Sequence, residues 1–159
     1  GVCTLTNLQH IKRGKIMIIK LREMRAMSPG LNTILGMELP AKPAYWLARW
    51  LDRSTSEMKA TEKARMNLVK KYAKKDKDGK PLRKLDPKTK KPTNQIDFTD
   101  KNLEKFNDEF NELLETEVKI DFKPIKLADL DSEICEVCGQ KKLRIKPIVL
   151  FQLGKIIVD

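Results

Sequence analysis

The stretch AKPAYWLARWLDRSTSEMKATEKARMNLVKKYA, residues 41–73, decides the architecture. Leu47, Trp50, Leu51, Met58, Leu68, Val69 and Tyr72 recur at three- and four-residue steps, the pattern of one apolar face on a long helix. Pro40 and Pro43 stand at its start, where a missing amide costs nothing. The face thins at Ser54, Thr61 and Arg65, which predicts a partly wet seam or a surface that a partner completes.

Beyond residue 73 the pattern stops. Asp78-Gly79, Lys80-Pro81, Asp86-Pro87 and Lys91-Pro92 are turn signals, and residues 74–91 hold nine cations against three aspartates. An exposed, mobile basic loop over 74–94 is expected. Thr99-Asp100-Lys101-Asn102 then opens a second helix with a cap residue in place. Its stripe is Leu103, Phe106, Phe110, Leu113 and Leu114, with carboxylates on the remaining faces. One helix is cationic and the other anionic, so the two are expected to fold back as a long antiparallel hairpin. Apolar burial must hold that hairpin, because exposed charge pairs contribute only about 0–1 kcal/mol each.

The fold class expected is therefore mainly α: the hairpin (41–118), shorter terminal helices, and a minor two- or three-stranded β element. The whole of 1–159 is expected as a single domain, with 1–40 as an N-terminal segment and 119–159 as a strand, a turn and an apolar helix. Val118, Ile120 and Phe122 alternate as a short strand, for which Gln95-Ile96-Asp97-Phe98 is a candidate partner. Ile18 to Met27 reads as a strand turning into a helix, with Ser28-Pro29-Gly30 as a break or a helix restart and Leu31 to Met37 as a short helix leading into the hairpin. Residues 148–153 read as a buried helix with Pro147 at its first position, or else as a core strand.

Leu39-Pro40-Ala41-Lys42, Ala44-Tyr45-Trp46-Leu47-Ala48-Arg49, Ala64-Arg65-Met66-Asn67-Leu68 and Lys71-Tyr72 come in order before the Asp78-Gly79-Lys80 turn. Phe106-Asn107-Asp108-Glu109-Phe110-Asn111-Glu112-Leu113-Leu114, Glu117-Val118-Lys119-Ile120 and Ile125-Lys126-Leu127-Ala128-Asp129-Leu130 follow. Over residues 17–130 this order resembles a family of small uncharacterised proteins of tailed phages and prophages of Gram-positive bacteria, often encoded near tail and lysis genes. The resemblance implies a viral protein in a virion-assembly setting, located in the host cytoplasm during infection or in the virion. It implies no activity, cofactor or site residue.

A net charge of +11 draws such a chain toward polyanions. Lys74, Lys75, Lys77, Arg83, Lys84, Lys90 and Lys91 are the candidate phosphate-binding residues, and a solvated loop is their plainer reading. Tyr45, Trp46 and Trp50 are candidates for a partner surface, with packing in the hairpin core against the N-terminal segment as the plainer reading. Cys135-Glu136-Val137-Cys138-Gly139 has the spacing of one zinc knuckle, which only Cys3 and His10 could complete to four ligands. Two reduced cysteines in a turn is the simpler account, and no cofactor is expected.

Three Cys, an odd number, argue against a secreted disulfide framework and for a reducing cytoplasm. No apolar run reaches the roughly 20 residues of a membrane span. Lys12-Arg13-Gly14-Lys15 is encodable by a purine-rich stretch resembling a ribosome-binding site, so a natural start at Met17 is expected. No phosphate loop, nucleophile elbow or paired-histidine motif occurs, and the carboxylates of 104–117 are spaced as a solvated face. The expectation is a non-catalytic phage assembly or interaction protein that binds itself or another phage protein, without a small-molecule substrate. A basic nucleic-acid-binding accessory or regulatory protein, with a zinc knuckle or without one, is the alternative.

Overall fold

The structure is a computed structural model that describes residues 16–130, 132–134, 136–138, 141–143 and 145–158. In chain order its elements are β1 (Ile16–Lys20), α1 (Leu21–Leu35), α2 (Ala41–Tyr72), β2 (Arg83–Leu85), β3 (Pro92–Ile96), α3 (Asp100–Leu114) and β4 (Glu117–Asp121). β5 (Ile125–Lys126), β6 (Ser132–Ile134), β7 (Lys141–Leu143), α4 (Pro147–Leu153) and β8 (Ile157–Val158) follow. The protein is mainly α, with its β structure in two-stranded pairs. Expectations for Cys3, His10, Cys135 and the segment before Ile16 lie outside the described residues.

The residues gather into two compact units. The first holds the strand up to Ile19, Glu23–Ser54 and the chain from Glu117 onward. Its core is Met24, Met27, Leu31 and Ile34 of α1, Leu47 and Trp50 of α2, Ile120 and Phe122 at β4, and Val149 and Leu153 of α4, all buried. β1 pairs with β4, and β5 pairs in parallel with β8.

α1 corrects two sequence expectations. It runs unbroken through Ser28, Pro29 and Gly30, so Leu31 to Leu35 continue it and form no separate helix. An internal proline costs about 3 kcal/mol. Leu21, Met24, Met27, Leu31 and Ile34 are buried on both sides of it, and burying such side chains is worth about 1.5–3 kcal/mol each. Tertiary burial wins. Gly30 is also where α1 meets α4, because a Cβ there would lie 2.9 Å from the Cβ of Gln152. α4 begins with Pro147 in its first turn, which settles residues 147–153 as a helix.

The second unit holds Lys20–Arg22 and Thr55–Thr116. Val69, Ala73 and Leu114 are buried there, and the rings of Phe98, Phe106 and Phe110 follow one another at 5.1 and 5.8 Å. α3 starts where expected: Thr99 is extended, and its hydroxyl accepts from the Asn102 amide at 3.3 Å. The thin part of the α2 face is covered at Ser54 and Thr61 and partly open at Arg65. Ser54 and Thr61 are buried, and each hydroxyl donates back to its own helix, to the carbonyls of Leu51 and Glu57. Arg65 is held by both carboxylate oxygens of Glu62.

Two further expectations are revised. Residues 74–94, expected as an exposed mobile loop, are largely exposed but carry the antiparallel pair β2–β3, Arg83 opposite Ile96 and Leu85 opposite Pro92, with a shift of register between them. Gln95-Ile96 therefore pairs within this ribbon, while residues 117–121 pair with β1 instead.

Candidate interaction surfaces

The basic ribbon is built by its aspartates. Asp76 Oδ1 accepts from the amides of Asp78 and Lys80, shaping a turn in which Gly79 takes φ +77°. Asp86 repeats the device at the other end, accepting from Lys88 and Thr89, and those amides hold its carboxyl below the usual range. The base is tied down by Leu82 N–H to Lys74 O at 2.7 Å, Asp97 N–H to Leu82 O at 2.9 Å, and a Lys74–Asp97 ion pair at 3.0 Å. A lone two-stranded hairpin is marginal in water, so this anchoring matters.

Lys75, Lys77, Lys80, Arg83, Lys84, Lys88, Lys90 and Lys91 are all exposed, and among the described residues none forms an ion pair. The structure thus places all seven candidate phosphate-binding residues on or beside one ordered ribbon, with only Lys74 engaged. Lys80 and Lys88 join that set on position alone.

Tyr45, Trp46 and Trp50 divide by depth. Trp50 is fully buried and meets Phe122 edge-on at 5.1 Å, so its core contact is the residue just after β4. Trp46 is half-buried with its own edge-on contact to Phe122, while Tyr45 is 57% exposed. The Arg49 guanidinium lies 6.0 and 5.4 Å from the Tyr45 and Trp46 rings. Beside Trp46 opens a cleft of about 460 Å³, lined by Pro40, Lys42, Pro43, Lys123, Pro124 and Asp129 among others. The indole N–H of Trp50 is buried without a hydrogen-bond acceptor.

α4 supplies a surface that the sequence did not mark. Val149 and Leu153 are buried, but Ile148 is 58% and Phe151 83% exposed, three residues apart on one face. The expectation of a buried helix holds for Val149 and Leu153 and fails for Ile148 and Phe151. Hydropathy alone cannot tell a helix covered on all sides from one with a bare apolar face.

Two carboxylates of the 104–117 face also form ion pairs. Glu109 accepts from the Tyr72 hydroxyl and from Lys71 Nζ at 2.8 Å. The Lys71 ammonium, then the Tyr72 hydroxyl, hold its carboxyl below the usual range, and Glu109 in turn helps push Lys71 up to about 12. Glu115 accepts from Lys20 at 2.6 Å and Arg22 at 2.8 Å, which lower its carboxyl likewise. Both acids serve as ionic ties.

Cys138 is exposed, and no group of three or more potential metal ligands occurs among the described residues. No helix among them is long and apolar enough to cross a membrane. Comparison with known protein families, curated proteins and solved structures finds no match.

Proposed function

We propose that this chain is a non-catalytic interaction protein of a tailed phage, acting in assembly through protein–protein contact and associating with itself. The observation that carries this reading is the bare face of α4, where Phe151 and Ile148 stand in solvent on a helix without a single charge. Exposed aromatic and aliphatic side chains grouped in this way mark binding surfaces more than they mark ordinary surface. Tyr45 and Trp46, with Arg49 over both rings, add residue types that dominate interface energetics. The viral setting rests on the resemblance of residues 17–130 alone, and with it the host cytoplasm or the virion as the place of action.

A long antiparallel hairpin of α2 and α3 belongs to the same proposal. It is supported by the contacts at its closing end: Asn102 Nδ2 donates to the Tyr72 carbonyl at 3.1 Å, and Glu109 takes Lys71 and Tyr72. At about 1.5 Å per residue α3 spans roughly 22 Å against roughly 48 Å for α2, so it covers less than half of that helix. Sedimentation velocity over a micromolar concentration series tests the reading. Concentration-dependent association is expected, and a strictly monomeric species that binds no virion component would contradict it.

A further inference from the structure

We propose that the cationic ribbon of residues 74–98 is a docking prong for duplex DNA, seated in the major groove and held by phosphates. It goes beyond the assembly role by naming a second partner and different residues. The charge is uncompensated from within: eight exposed cations form no ion pair among the described residues, although α3 is rich in carboxylates. The ribbon's own Asp76 and Asp86 accept from turn amides, those of Asp78, Lys80, Lys88 and Thr89, and not from lysine ammonium groups.

Shape selects among polyanions. Arg83 and Lys84 are both exposed on β2, whose pairing with β3 shifts register between Arg83 and Leu85, and Lys88, Lys90 and Lys91 lie in the connection between the two strands. A flat anionic sheet such as a membrane would meet one face only. A groove offers phosphates on both sides, and the roughly 12 Å major groove of B-DNA admits a two-stranded ribbon, whereas the deep, narrow groove of duplex RNA does not. Single strands fit less well, because no aromatic residue lies between Lys74 and Asp97, and Phe98 is already packed on Phe106.

Lys90 sits at φ +56°, a left-handed conformation that glycine or asparagine adopts at less cost. It closes the Asp86 turn, its amide donating to the Asp86 carbonyl at 2.9 Å.

Fluorescence anisotropy with a 20-bp duplex DNA between 50 and 200 mM salt tests the proposal. With six phosphates contacted, the slope of log affinity against log salt is expected near about −5. The triple variant Arg83→Gln, Lys84→Gln, Lys88→Gln should bind at least about tenfold more weakly at 100 mM salt, with a slope shallower by about 3. Removing the same charge elsewhere, with Lys101→Gln, Lys105→Gln, Lys119→Gln, should leave both unchanged. All six positions are exposed, and unchanged circular dichroism certifies the fold. Absence of binding at 50 mM salt, an equal loss in the second variant, or equal affinity for duplex RNA or anionic vesicles would overturn it.

Discussion

Phe122 does more packing than its place in a short strand-to-link segment suggests. Both Trp46 and Trp50 present ring contacts to it, and it is itself buried. Phe122→Ala should cost about 3–5 kcal/mol in urea unfolding, as large aromatic deletions in tight cores do. A loss under 1 kcal/mol would show that the site collapses or was never tight. This contact was half-legible in advance: the alternation Val118, Ile120, Phe122 marked a buried strand face, and Trp50 fell on the helix stripe. That the two meet is a long-range fact, which periodicity does not contain.

Ionic ties follow the same logic. Glu109 and Glu115 have folded values below their ordinary 4.5, so they favour the folded state more when ionised. Their contribution is fully present above about pH 4.5 and is lost as pH falls through the depressed values. Lys71 runs the other way: raised from 10.5 to about 12, it contributes fully below 10.5 and stops contributing as pH rises through about 12. Urea midpoints measured from pH 7 down to 2 should fall below pH 4.5, and Glu109→Gln should flatten part of that fall. An unchanged profile in the variant would remove Glu109 from the account.

Among the elements, helices were easier to read than strands. α2 announced itself through 32 residues of repeated apolar spacing, and α3 through Thr99 and a stripe of Leu and Phe. Local rules failed where packing overruled them. Pro29 and Gly30 spell a turn, yet α1 continues because its apolar residues on either side need the same core. Gly30→Ala is the decisive substitution: helix propensity alone would stabilise by about 1 kcal/mol, whereas a Cβ 2.9 Å from Gln152 Cβ should destabilise by about 1–3 kcal/mol. Thermal unfolding decides the sign, and a raised Tm would mean that α4 gives way easily. The β2–β3 ribbon was hidden for another reason. Its strands are short and polar, and turn carboxylates with anchoring backbone bonds hold it, none of which leaves an alternating hydrophobic trace.

The described residues taken together are rich in exposed surfaces. They bring together no metal-ligand cluster, and their most distinctive features are outward-facing: a bare apolar helix face, an aromatic pair under an arginine, and a ribbon on which every cation but Lys74 lacks an ion pair. Charge composition made the ribbon's potential readable, while the exposure of α4 depends on which side of an all-apolar helix finds a neighbour. Sedimentation equilibrium of the wild type beside Phe151→Glu addresses the proposal most directly. The wild type should associate at micromolar concentration, and the variant, changed at a solvent-facing position, should stay folded and weaken that association at least about tenfold. A monomeric wild type, or an equally associating variant, would contradict a contact made through α4.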